Sequence, residues 1–147
     1  MESSPEVDAR RAELEREAPI VPRSVWKRTR FNGTEAVLLC VTIGAEFDVW
    51  QRRLSVLSAA DAYLSQQIGL AAVEKVMDRL ENEVKARVEG EGLELRPRRS
   101  PGYGDLPLSL SRAILAELDA PRRIGVFLTD SNLLVPSKSV TAICEIC

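Results

Sequence analysis

The sequence reads as a single α+β domain, with an antiparallel or mixed sheet set around one long core helix and several shorter helices. Three observations lead there. A hairpin signal stands near the front, where apolar-rich runs flank Asn32-Gly33. A four-residue apolar periodicity occupies the middle, from Leu64 to Val88. Strand-like runs close the chain, at 124–128 and 139–146. A length of 147 residues agrees with one domain.

The chain opens on Ser3-Ser4-Pro5-Glu6, a capping-box-like start with Pro near the first helical position, and the helix runs to about Ala18. Val7 and Leu14 are its only large apolar residues, so it should be weakly anchored, and Pro19 and Pro22 end it. Residues 1–24 thus form a polar helix and a Pro-containing linker ahead of a domain at 25–147. Residues 25–31 alternate loosely, and 35–43 carries Val37, Leu38, Leu39, Val41 and Ile43, so the second hairpin strand should be the more central. Asp48 is expected to cap a helix ending near Leu57, and Asp61 the long one that follows. In that helix Leu64, Ile68, Ala72, Val76, Leu80, Val84 and Val88 recur every four residues, with Val73 and Met77 beside them, until Gly90 and Gly92 stop it. Glu81 with Lys85 and Glu83 with Arg87 are i,i+4 pairs that mark its wet side. A short strand at 93–97, a turn-rich loop to Pro107, a helix from Ser109 through Leu118, a strand at 124–128, a loop at 132–138 and a last strand at 139–146 complete the chain.

Composition narrows the chemistry. With no histidine, the chain lacks His-based nucleophilic systems, His-containing metal sites and the commonest general base near neutral pH. A net charge of −2 gives no electrostatic case for nucleic acid or an anionic membrane. The longest mainly apolar run, 36–45, is too short to span a bilayer, and the first residues lack signal-peptide character, so a soluble cytoplasmic protein is expected. Three cysteines are too few for a disulfide framework and fit a reducing compartment. In Cys144-x-x-Cys147, strand geometry points the two thiols to opposite faces, which argues for one buried thiol and one fraying at the terminus rather than a metal site.

The run Arg98–Pro107 is the candidate site. A guanidinium fork can hold a carboxylate bidentately, Gly102 and Gly104 let the main chain come close, and Tyr103 offers a flat face and a hydroxyl. A rigid surface turn with solvated arginines is the alternative. Arg96, Arg98 and Arg99 as a nucleic-acid patch find no support in an acidic N-terminus and few aromatic residues.

The stretch Arg98-Arg99-Ser100-Pro101-Gly102-Tyr103-Gly104-Asp105-Leu106-Pro107-Leu108-Ser109 resembles the S-adenosylmethionine-binding signature of the activation (reactivation) domain of cobalamin-dependent methionine synthase, most closely its free-standing bacterial form. The run from Ile124 to Ser131, then Val135-Pro136 and Ser139-Val140, is similar to the family's second block. Val41–Gly44 with Glu46–Asp48, and Gly69–Glu74, also read like free-standing members, so the resemblance covers roughly residues 25–146. It implies a domain that binds S-adenosylmethionine in a shallow groove. There it acts in trans on a cobalamin-dependent methionine synthase, or another corrinoid protein, to return oxidised cobalamin to methylcobalamin with an electron from a flavodoxin-like donor. A non-catalytic adaptor docking on a corrinoid protein would carry the same signature. With no histidine to ligate the metal, cobalamin must come on a partner.

The resemblance also implies roles. Arg98 would hold the ligand's carboxylate, Ser100 would contribute backbone contacts, and Gly102 would permit the close turn. Tyr103 would lie near the transferring methyl. Glu74 aligns with a helix glutamate near the family pocket, though a solvated helix residue is the alternative, and Cys144 falls on a strand whose backbone lines the groove. No catalytic acid, base or metal ligand is implied. The acidic ligand contact that fused enzymes place near the module's start has no match before residue 25, so part of the groove is expected to be missing.

Overall fold

A computed structural model of the chain describes residues 4–31 and 33–147. The expectations for Ser3 and Asn32 lie outside the described residues; Gly33, the other half of the turn dipeptide, has φ of 80°. Helix α1 (Pro5–Glu17) is capped by Ser4, whose hydroxyl accepts from the Val7 amide at 3.1 Å. It is better anchored than its composition suggests. Leu14 is fully buried against the core, and Arg10 forks onto Asp61 at 3.1 and 2.8 Å.

Strands β1 (Arg23–Phe31) and β2 (Thr34–Thr42) form the expected antiparallel hairpin, and β2 is the central strand of an antiparallel sheet ordered β1-β2-β5, with β5 at Ser139–Glu145. Its near-continuous apolar run follows from burial on both faces. Val37, Leu39 and Val41 meet one cluster, while Leu38 and Cys40 meet another.

Helix α2 (Ala45–Leu57) begins earlier than expected, at Gly44, whose φ of 96° an L-residue rarely adopts. Asp48 does not cap it. That carboxylate is inside the first turn and instead accepts from Ser137, at 2.9 Å from the amide and 2.5 Å from the hydroxyl. Helix α3 (Ala59–Gly90) is the long core helix, with Val73, Met77, Leu80, Val84 and Val88 buried. Its cap is Ser58, which accepts from the Asp61 amide at 3.2 Å; Asp61 is turned outward to Arg10. The expected Glu81–Lys85 pairing is replaced by Glu81 with Arg98, and Arg87 lies over the Trp26 ring.

Residues 93–97 do not form a regular strand. They run along the free edge of β5, with Glu94 and Cys147 exchanging backbone bonds and Arg96 donating to Glu145, and the pairing resumes one residue out of step where Arg99 and Ile143 exchange bonds. Cys147 is accordingly held rather than fraying, and Arg96 Nε also donates to its Sγ at 3.3 Å. Helix α4 (Leu110–Leu118) follows the loop, as expected. The strand expected at 124–128 is shorter than that: Ile124 ends the short helix α5 (Ala120–Ile124), started by Pro121 in its first turn, and Gly125 follows at φ 70°. Only β3 (Phe127–Leu128) remains extended, paired antiparallel with β4 (Leu134–Val135) inside the expected loop.

The result is three layers. Helices α1, α2 and α3 cover one face of the sheet, and α4 with α5 cover the other. Burying each large side chain of these clusters contributes about 1.5–3 kcal/mol relative to leaving it exposed. Among the described residues no helix is long and apolar enough to cross a membrane.

Candidate functional site

A cavity of about 680 Å³ opens between α3, the loop that begins at Arg98, and the segment leading into β5. Its size falls in the ordinary range for small-molecule sites. Three turn hydrogen bonds shape the loop wall: Gly102 N–H to Leu106, Tyr103 N–H to Ser100 and Leu106 N–H to Tyr103. Gly102 sits at φ 91°, and a Cβ there would press on the Leu108 side chain at 3.2 Å, so the turn needs glycine. Tyr103 is held out at the rim, 76% exposed.

Arg98 is the loop's anchor. Its guanidinium donates at 2.7 Å to each of Glu74, Asp78 and Glu81, and its amide donates to Glu81 at 3.2 Å. These acids stand at i, i+4 and i+7 on α3 and so share one helix face. Burial works against the Arg98 charge, but the bonds to Asp78 and Glu81 outweigh it and hold its pKa above the ordinary value. Three carboxylates against one guanidinium make the cluster net negative, and of the three acids Glu74 lines the pocket. Arg99, also at the pocket, pairs with Asp105 and Glu145.

The opposite end is different. Lys138 lies on the pocket wall yet is only 5% exposed, with its ammonium 5.9 Å from the Phe47 ring centroid. Its backbone carbonyl accepts from the Ile43 amide at 3.1 Å, and Ser139 Oγ donates to Thr42 Oγ1 at 2.8 Å. With Asp48 gripping Ser137, the chain is fixed on both sides of the lysine. Gly69 makes room for it: a Cβ there would come within 2.9 Å of Lys138 Cε and 2.7 Å of the Phe47 ring. Burial lowers the Lys138 pKa, with Asp48 partly opposing.

Of the residues singled out in the sequence, Glu74, Arg98, Ser100 and Tyr103 line this pocket together. Gly102 shapes the loop from behind the lining. Cys144 is buried in the core beside β2, away from the lining, and burial pushes its thiol up to about 12. Sequence reasoning missed Asp78 and Glu81 as partners of Arg98, although their spacing with Glu74 was visible. It also missed Lys138, whose burial depends on Gly69 and Phe47 from two other elements. Among the described residues no group of three or more Cys, Asp or Glu side chains is placed to hold a metal ion.

No family model matches the chain, and no curated protein matches it either. Among solved structures, it is similar to a crystal structure of the MetH reactivation domain bound to AdoHcy, with a TM-score of 0.65 and 18% identity. The match covers 76% of this chain and 39% of that one, so this chain spans well under half of the neighbour's length. The chain therefore shares the α+β fold of the MetH reactivation domain.

Proposed function

We propose that this domain binds S-adenosylmethionine in the pocket beside Arg98 and presents its methyl group to cobalamin carried by a partner protein, reactivating a cobalamin-dependent methionine synthase. The observation that carries the reading is a coincidence of place. Glu74, Arg98, Ser100 and Tyr103 meet on one pocket, in a fold shared with a domain whose crystal structure holds AdoHcy, the demethylated form of the same ligand.

The residues present fit such a ligand. The net-negative cluster around Arg98 suits its cationic groups, the ammonium and the sulfonium. Tyr103 at the rim offers a ring face to the sulfonium, an interaction on the order of 1 kcal/mol when exposed. In the transfer, the S–CH3 bond breaks with its electron pair left on sulfur, while cob(I)alamin supplies the pair for the new bond. The electron that first reduces cob(II)alamin comes from a flavodoxin-like donor. The chain's contribution is to bind, orient and expose the methyl group, which requires no histidine.

The test is reactivation in trans. A cobalamin-dependent methionine synthase lacking its own reactivation module is oxidised to the cob(II)alamin state, then mixed with this chain, S-adenosylmethionine and reduced flavodoxin. Conversion of the visible spectrum to that of methylcobalamin, dependent on both this chain and the ligand, is the expected result. No conversion despite ligand binding would favour a different corrinoid partner, and no ligand binding at all would favour the adaptor role.

A further inference from the structure

The pocket has three cations on its wall, and two of them are already paired. Arg98 is held by Glu74, Asp78 and Glu81, and Arg99 by Asp105 and Glu145. Lys138 is the exception among the described residues. Besides the Phe47 ring, its ammonium has one long hydrogen bond, 3.4 Å to Ser137 Oγ, and Asp48, the nearby acid, has each of its oxygens engaged by Ser137. An ammonium has three donors, so a nearly buried lysine with a single weak bond is under-satisfied. We infer that Lys138 is the residue that takes the carboxylate of the pocket's ligand, setting a preference for ligands that carry an intact amino-acid end.

The placement supports this. Lys138 packs at Gly69 and Glu74 stands five residues on along α3, a backbone rise of about 7–8 Å, and both residues line the same pocket. Polar contacts of about 2.8 Å at both ends of an amino-acid zwitterion cover a span of that order, the ammonium toward Glu74 and the carboxylate toward Lys138. Asp48, through Ser137, and Thr42, through Ser139, act as positioning residues for the lysine. This inference rests on the S-adenosylmethionine reading above and supplies the carboxylate partner that the occupied Arg98 leaves open.

The experiment compares calorimetric titrations of the full chain with S-adenosylmethionine and with decarboxylated S-adenosylmethionine. Wild type should prefer the carboxylated ligand by about 10- to 100-fold. Lys138→Met should abolish that preference while retaining affinity for the decarboxylated form, and Lys27→Ala, outside the pocket lining, should keep it. Lys138→Gln repeats the comparison if the methionine variant does not fold. A wild type that binds both ligands equally, or a Lys138 variant that keeps the preference, overturns the assignment while leaving S-adenosylmethionine binding intact. Failure of wild type to bind either ligand overturns the parent reading instead, and this inference with it.

Discussion

Arg98 ties the candidate loop to α3, and removing it strands Glu81, the least exposed of its three partners. Arg98→Ala should therefore lower stability by about 1–3 kcal/mol in urea unfolding, chiefly through the unpaired carboxylate. The double variant with Glu81→Gln should recover part of that loss; no recovery would mean that Glu81 is well solvated once the arginine is gone. The thiols make a second case. Burial pushes both Cys40 and Cys144 up to about 12, whereas Cys147 is exposed. A small disulfide reagent should label one thiol in the native protein and all three after denaturation. At this scale the sequence was legible wherever chemistry is local. Arg98 and Tyr103 stand out from their own loop, and Glu74, Asp78 and Glu81 repeat at helical spacing. Lys138 did not stand out, because its burial is made by Phe47 and Gly69, far off in sequence.

Helix α1 has little apolar surface, and its hold on α3 concentrates in Leu14 and the Arg10–Asp61 fork. Leu14→Ala should cost about 2–5 kcal/mol, the range for a fully buried leucine. The fork adds a pH dependence. Hydrogen bonding from Arg10 holds the Asp61 carboxyl below its ordinary value, against a smaller effect of burial. A lowered folded-state pKa stabilises the fold above about pH 4, and that contribution fades as pH falls through the lowered value. Melting curves of wild type and Asp61→Asn should thus differ near neutral pH and converge in acid; a constant offset would place the effect elsewhere. On α3, Gly69→Ala drives a Cβ against Phe47 and Lys138 and should cost about 1–3 kcal/mol. The hairpin and α3 were legible because their patterns are long. The strand expected at 124–128 is reduced to Phe127–Leu128 because α5 reaches Ile124 and Gly125 turns the chain at positive φ, punctuation that a short apolar run conceals.

Taken whole, the molecule is a small antiparallel sheet with helices on both faces, and its pocket forms where the two helical layers and the sheet's end converge. The α+β class followed from the order of patterns along the chain. The layering did not, since nothing local says that α4 and α5 cover the face opposite α3. That layering matters for function because it brings a loop after α3 and a segment before β5, some thirty residues apart, to one cavity. The fold is shared with a reactivation domain, and the polarity of the pocket suits a ligand with both cationic and anionic groups. The most direct measurement is a calorimetric titration of the intact chain with S-adenosylmethionine, with S-adenosylhomocysteine and ATP alongside. The account predicts saturable binding of the first two, not matched by ATP. No heat and no thermal shift at millimolar S-adenosylmethionine, with or without a cobalamin-bearing partner, would contradict it.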